Sequence, residues 1–187
     1  MRHGIVTILG LAATVASSAA GQEKHGERNA TARKIASALS AAPTEIGAKA
    51  TVGEMSADGK MTTLKAGANG WLCMPDNPVT PGPDPMCADK VAQDWLNAYM
   101  AKKPVEIKQI GIVYMLLGGT DASNTDPYAT KPTSSNQWVR TPSHVMVLPP
   151  DPKMLESYPS EPSVGTPYVM WRNTPYAHLM VPVRKPR

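Results

Sequence analysis

Proline is the residue that most limits what this chain can form. The chain has 187 residues and 19 prolines, and twelve of those prolines follow residue 126. A proline inside a helix removes a hydrogen bond and clashes with the preceding turn, and within a sheet it is confined to edges and strand starts. The C-terminal third is therefore predicted to form short strands joined by ordered loops.

The remaining composition is that of one globular domain. Apolar residues make up 42% of the chain, charged residues 18%, and the formal net charge is +4. These values exclude a disordered chain, and the absence of a repeat excludes collagen-like and coiled-coil structure. The few basic clusters, Lys102 with Lys103 and the C-terminal tail, have no interleaved aromatic residues, so nucleic acid is not expected as a partner.

Residues 1–20 have the pattern of a cleaved signal peptide. Arg2 and His3 precede an apolar run over residues 5–15, and residues 18–20 are small, as signal peptidase requires. A membrane anchor needs about 18 or more consecutive apolar residues, and this run is shorter. We therefore predict an exported protein, periplasmic or extracellular, without a membrane span after cleavage. The alternative is a retained N-terminal helix.

Cys73 and Cys87 are the two cysteines of the chain. Cysteines of an exported domain normally pair, and a disulfide that closes so short a loop contributes about 3 kcal/mol in the loop-entropy model. The spacing is not C-x-x-C and neither cysteine has a neighbouring histidine, which disfavours a redox pair or a metal site. The sequence therefore predicts a structural disulfide.

The apolar pattern predicts two helices and several strands. Residues 31–42 and 85–102 carry apolar side chains at helical spacing, and Asp84 is the predicted N-cap of the second helix. Strands are predicted over runs rich in β-branched and other apolar residues: 44–55, 60–66, 70–74, 108–117, 138–148, 167–171 and 176–183. The last two of these strands should form a hairpin, and residues 152–158 one helical turn.

These elements predict a single α+β domain. The expected organisation is a signal peptide over residues 1–20, a polar lead-in and short helix over 21–43, and the domain itself over 44–187. The domain should contain a mixed or antiparallel sheet of about six strands, one main helix packed on one face, and one disulfide.

Two C-terminal segments each contain the pattern His-x-Met, as His144 with Met146 and His178 with Met180. Residues i and i+2 of a strand face the same side, so each segment presents an imidazole and a thioether together. If the two strands are neighbours, four soft ligands share one face, and this set suits a copper ion in an exported protein. Alternatively, methionine fills the core of a chain without phenylalanine, and the histidines bond to backbone carbonyls.

The segment GGTDASNTDP, residues 118–127, is the second candidate. It follows a predicted buried strand and carries the carboxylates Asp121 and Asp126, the hydroxyl of Ser123 and the amide of Asn124. Such a loop can bind Ca²⁺ or another polar ligand, although it does not match an EF-hand. The alternative is that these side chains bond to their own backbone in Asx and Ser/Thr turns.

The chain also resembles a family of exported bacterial proteins of unknown function. The resemblance covers about residues 67 to 183, and its most distinctive part is the GGTDASNTDP string. Asp84-Pro85-Met86-Cys87, His144-Val145-Met146 and the segment over residues 174–180 also carry it. The resemblance brings no activity with it, so no catalytic or binding residue follows from it.

Motifs of the common hydrolases and of the P-loop are missing from the sequence. We therefore expect a non-enzymatic exported protein that binds a small ligand or a metal ion, with the polar loop and the His/Met face forming one site. Two other functions fit the same residues. One is an envelope enzyme in which His144 or His178 acts as general acid or base beside Asp121 or Asp126. The other is a structural module of the envelope.

Overall fold

The computed structural model describes residues 15–56 and 58–184, so most of the predicted signal peptide lies outside the described residues. The chain divides into two compact units, residues 1–33 and residues 34–187. The second unit contains all the strands. It begins before residue 44, where the sequence places the start of the α+β domain.

The first helix, α1, is longer than the sequence predicts. It covers Val15–Leu39, whereas a helix is expected only from residue 31, with frayed residues 21–30 before it. No proline falls in that polar stretch, and its Ala, Glu, Lys and Arg residues are strong helix formers, so the helix continues through it. None of the described helices is both long and apolar enough to cross a lipid bilayer.

The predicted strand over residues 44–55 is helical in its first part, which corrects the prediction. α2 is the short helix Thr44–Gly47, and β1 is the strand Thr51–Met55. Pro43 explains the difference, because its carbonyl oxygen accepts hydrogen bonds from two backbone N–H groups of α2, at 2.9 and 3.0 Å. These bonds close a helical turn before the strand begins.

Cys73 and Cys87 form the predicted disulfide bond. β3 is Leu72–Met74 and β4 is Met86–Ala88, and the two cysteines lie directly opposite each other in this antiparallel pair. The bond therefore joins two neighbouring strands. The sequence predicts instead that it joins a strand to the main helix.

The main helix begins later than predicted. α3 is Lys90–Met100, and its N-cap is Asp89 instead of Asp84. One carboxylate oxygen of Asp89 accepts a hydrogen bond from the N–H of Ala92 at 2.7 Å, and the other accepts from the N–H of Ile112 at 2.9 Å. Because Asp89 is bonded to both the helix and the following strand, the residues just before it pair in the sheet as β4.

The remaining elements lie in the second half of the chain. They are β5 (Gly111–Met115), β6 (Ala122–Ser123), β7 (Trp138–Val139), β8 (His144–Leu148), a 3-10 helix (Pro152–Leu155), β9 (Tyr168–Met170) and β10 (His178–Pro182). The predicted strand over residues 138–148 is interrupted between β7 and β8, where Pro142 cannot donate to a ladder. The predicted hairpin of β9 and β10 is confirmed.

Eight strands build one sheet in the order β2-β1-β3-β4-β5-β8-β10-β9, where β2 is Met61–Lys65. Neighbouring strands are antiparallel except β1 and β3, which are parallel. β6 and β7 form a separate two-stranded ribbon. The predicted fold class, an α+β domain with a mixed sheet and one disulfide, is confirmed, with more strands in the sheet than expected.

Each face of the sheet is covered by a helix. α3 lies on one face, where Trp95 is 1% exposed and packs in a cluster with Val113 and Met180. The C-terminal end of α1 contributes Ala38 to a second cluster, which includes the disulfide. On β4, the side chain of Cys87 points to one face of the sheet, and those of its neighbours Met86 and Ala88 point to the other. The two clusters therefore lie on opposite faces of the sheet.

Candidate functional site

The two His-x-Met segments are neighbouring antiparallel strands. Met180 lies directly opposite Met146, and Pro182 lies directly opposite His144. Directly paired residues face the same side of a sheet, as do residues two apart on one strand. His144, Met146, His178 and Met180 therefore share the face that α3 covers, as expected from the sequence.

The register places the two histidines at opposite ends of this face. Position 178 is four residues from position 182, the partner of His144. Four residues of an antiparallel strand span about 14 Å. Strand side chains stand roughly perpendicular to the sheet, so they do not close such a gap. The register therefore favours binding of an ion by each histidine separately, and one centre shared by all four side chains stays a prediction.

Each histidine instead lies beside a methionine of a third or fourth strand. Met115 of β5 lies directly opposite His144, and Met170 of β9 lies directly opposite His178. Together with the methionine two residues further along its own strand, each histidine has two thioether neighbours on one face. We call these groups the His144 set (His144, Met115, Met146) and the His178 set (His178, Met170, Met180).

Both imidazole rings are held by the same type of hydrogen bond. Nδ1 of His144 donates to the carbonyl oxygen of Pro142 at 2.7 Å, and Nδ1 of His178 donates to that of Tyr176 at 2.9 Å. A carbonyl oxygen only accepts, so the proton of each neutral ring is on Nδ1 and the lone pair is on Nε2. A backbone bond at one ring nitrogen that leaves the other for a ligand is typical of metal-binding histidines.

Burial keeps both histidines uncharged at neutral pH. Loss of hydration, with a smaller contribution from His144, lowers the pKa of His178 to about 4. The pKa of His144 is also lowered, again because the ring is buried. Each Nε2 therefore carries a free lone pair near pH 7 and can serve as a ligand or as a hydrogen-bond acceptor.

A cavity of about 230 Å³ lies over this face of the sheet. All six residues of the two histidine sets line it, together with Met86, parts of α3 and the start of the polar loop. The lining residues are Met86, Trp95, Leu96, Tyr99, Met115, Gly119, Thr120, Ala122, Thr141, His144, Met146, Met170, Trp171, His178 and Met180. Five of them are methionines and none is charged at neutral pH.

Aromatic rings close the His178 end of the cavity. The ring centroid of His178 lies 4.9 Å from that of Trp171 and 5.6 Å from that of Trp95, with both pairs edge to face. Tyr99 stacks on Trp171 at 5.1 Å. Because an aromatic face attracts cations, the rings at this end would stabilise a bound cation in addition to the histidine and methionine ligands.

Ser123, Asn124 and Asp126 of the polar loop form hydrogen bonds with backbone groups of the protein. Oγ of Ser123 accepts a hydrogen bond from the N–H of Asp126 at 2.8 Å, and a carboxylate oxygen of Asp126 accepts from the N–H of Tyr128 at 2.8 Å. Nδ2 of Asn124 donates to the carbonyl oxygen of Ser160 at 2.9 Å. The bonds of Ser123 and Asp126 are of the turn type that the sequence offers as the alternative to ligand binding, whereas the bond of Asn124 reaches a distant segment.

None of the four predicted loop ligands, Asp121, Ser123, Asn124 and Asp126, lines the cavity. Gly119, Thr120 and Ala122 of the same segment do line it, so the loop supplies a wall and not polar ligands. The loop is anchored to the wall by Trp171, whose ring N–H donates to the carbonyl oxygen of Ser123 at 2.8 Å.

The acid-base pairing of the enzyme alternative is not assembled. Each histidine bonds to a backbone carbonyl, and within residues 15–56 and 58–184 no hydrogen bond or ion pair links Asp121 or Asp126 to either ring. In the same ranges no three His, Cys, Asp or Glu side chains converge in a way that could hold a metal ion. A metal in this cavity would therefore depend on thioethers.

Met86, Met115 and Met170 are not among the candidates from the sequence. Each lies in a segment with ordinary apolar patterning, and only the pairing of strands brings Met115 and Met170 to a histidine and Met86 to Met115. Comparison with known proteins adds no further ligand, because no protein-family model, curated protein or solved structure matches the chain.

Proposed function

We propose that the chain is an exported, non-enzymatic protein that binds one soft monovalent metal ion, Cu(I), in the cavity between the sheet and α3. One observation carries the proposal: two buried, uncharged histidines each lie among two methionines in a cavity without charged walls. Thioether and imidazole ligands favour Cu(I), whereas Ca²⁺ and Mg²⁺ favour carboxylate ligands, and no Asp or Glu lines the cavity.

The two histidine sets are not equivalent as binding sites. Trp95 and Trp171 pack against the ring of His178, and their rings favour a cation at that end. We therefore assign the tighter binding to the His178 set and the weaker binding to the His144 set.

The cavity holds one ion tightly because it contains no negative charge to balance a second. Two monovalent cations about 14 Å apart repel each other by about 1.2 kcal/mol at an effective dielectric constant of about 20. That repulsion lowers the affinity for a second ion by about sevenfold. We expect one tight equivalent followed by a weak one.

Export is part of the proposal and has two supports. The N-terminal sequence has the pattern of a signal peptide, and Cys73 is bonded to Cys87, which is usual for proteins of oxidising compartments. An exported Cu(I) site in an apolar cavity would limit the contact of the ion with water.

Titration of the purified protein with Cu(I), in competition with a chromogenic Cu(I) chelator, tests the proposal. The variants are His178→Asn and His144→Asn, because asparagine keeps a short donor for the backbone carbonyl and removes Nε2. His25→Asn, at an exposed histidine of α1, is the matched control. We expect a large loss of affinity in His178→Asn, a smaller loss in His144→Asn and none in the control.

Parallel titrations with Ag(I) and Zn²⁺ test the softness of the site. Ag(I) should bind with the stoichiometry of Cu(I), and Zn²⁺ should bind at least a hundredfold more weakly. Unchanged Cu(I) affinity in a folded His178→Asn variant, or tighter binding of Zn²⁺ than of Ag(I), would refute the proposal.

A further inference from the structure

A row of methionines crosses the sheet and leads to His144. Met74 of β3 lies directly opposite Met86 of β4, and Met115 of β5 lies directly opposite His144 of β8. The pairing of β4 with β5 matches Ala88 with Val113, so the next antiparallel pair on that face is Met86 with Met115. We call Met74, Met86 and Met115 the methionine row.

The row passes from half-buried positions on β3 and β4 into the core. Met74 and Met86 are half-buried, Met115 is 7% exposed and His144 is 2% exposed. Neighbouring strands lie about 4.8 Å apart, so each thioether of the row is within reach of the next flexible side chain. The row is therefore a continuous series of soft ligands that ends at the histidine.

The outer end of the row lies in a surface groove of about 550 Å³. Met55 and Met74 line this groove, and Met86 lines both the groove and the cavity. Met86 is thus the residue that separates the two spaces. A soft ion in the groove that exchanges its ligands for the thioether of Met86 enters the cavity while it stays bound to sulfur.

The groove also has the charge that attracts a cation. Asp76 and Asp84 line it together with Glu54, whose carboxylate is already paired with the ammonium group of Lys34. Asp76 and Asp84 are close together, since the N–H of Asp84 donates to a carboxylate oxygen of Asp76 at 2.8 Å. Carboxylates in a concave site raise the local concentration of cations and so speed their capture.

We infer that the methionine row is the route by which the soft monovalent ion passes between solvent and the cavity. This inference rests on the proposed function. At each step one metal–thioether bond forms as another breaks, so the ion keeps its charge and no electron or proton is transferred. From His144 the ion continues past the facing pair Met146 and Met180 to the His178 set, which is the final site.

The rate of loading tests this route separately from the affinity. Trp95 and Trp171 border the final site, so tryptophan fluorescence in a stopped-flow mixer can follow the arrival of Ag(I). Met86→Leu removes the thioether at nearly constant volume. We expect loading to slow by about tenfold or more, which corresponds to about 1.4 kcal/mol in the barrier, with the stoichiometry and affinity at equilibrium unchanged.

Met74→Leu is a second variant, at a half-buried position where folding is less at risk, and it should slow loading in the same direction. Met154→Leu is the matched control, because Met154 is 55% exposed and lies in the 3-10 helix outside the row. Wild-type loading rates in both row variants would overturn the route, as would equal slowing in the control.

A loss of equilibrium affinity in Met86→Leu would also overturn the route, because it would make Met86 a ligand of the final site. If the wild-type protein binds neither Ag(I) nor Cu(I), the proposed function itself fails. The two failures are therefore distinguishable.

Discussion

Met180 lies directly opposite Met146 in the antiparallel pair of β8 and β10, and this pairing places His144 and His178 at opposite ends of one methionine-lined face. A shift of the register by one residue would turn all the side chains of one strand to the other face of the sheet. The pairing therefore places both imidazoles in one cavity and gives each imidazole its own methionine neighbours.

Acid should destabilise the folded protein through His178. Its pKa is about 4 in the fold and 6.5 in the unfolded chain, so between these values the unfolded chain binds more protons. The free energy of unfolding should therefore fall as the pH drops from 6.5 to 4, by on the order of 3 kcal/mol, and this group should contribute no slope above pH 6.5. Urea unfolding at several pH values measures the effect.

His178→Asn is the control for the acid effect, because it removes the titrating ring. The variant should keep only the slope from His144, whose pKa is shifted in the same direction. An identical slope in the wild type and in His178→Asn would show that another group causes the acid sensitivity.

Metal binding should persist in mild acid. A solvent-exposed histidine site loses its ligand to protonation near pH 6.5, whereas His178 stays neutral down to a pKa of about 4. We expect the Ag(I) affinity at pH 5.5 to remain within about threefold of its value at pH 7, since protons compete only below the folded pKa. A drop of tenfold or more between pH 7 and pH 5.5 would contradict a buried imidazole ligand.

Gly119→Ala should disturb the cavity wall. A methyl group at this position would collide with Oγ1 of Thr141 and come within 3.2 Å of Cε1 of His144, so His144 must move. We expect weaker metal binding and a loss of stability of about 1–3 kcal/mol from overpacking. Gly165→Ala is the matched control, because a methyl group there meets no atom within 4 Å. Equal effects of the two substitutions would contradict this role of Gly119.

Replacing Cys73 and Cys87 by alanine should lower stability without abolishing metal binding. The disulfide closes a loop with a sequence separation of 14, and its loss should cost about 3 kcal/mol in urea unfolding. Cys87 faces away from Met86 and the cavity, because successive strand residues alternate in direction. A folded double variant that no longer binds Ag(I) would place the disulfide in the site, against this account.

Local patterns in the sequence were sufficient to predict much of the sheet. The apolar runs predict most strands, the two cysteines predict the disulfide, and the repeated His-x-Met pattern predicts that β8 and β10 present similar faces. The start of α3 was not predictable in this way. Asp84 followed by Pro85 has the pattern of a helix start, but pairing with β3 and β5 holds the next residues in the sheet, a tertiary effect that outweighs local preference.

The methionine partners of the histidines could not be predicted from one sequence. Met115 and Met170 lie in short apolar strands whose patterning is equally consistent with core packing. Their approach to His144 and His178 depends on which strands are neighbours and in which register. That information comes from contacts between distant parts of the chain, and spacing along one strand does not contain it.

X-ray absorption at the copper edge of the Cu(I)-loaded protein tests the central claim most directly. We predict a first shell that contains two sulfur atoms at about 2.3 Å and one nitrogen at about 2.0 Å, as expected for soft metal–sulfur and metal–imidazole bonds, with the nitrogen lost when His144→Asn and His178→Asn are combined. A first shell of oxygen and nitrogen without sulfur would contradict binding in the His/Met cavity.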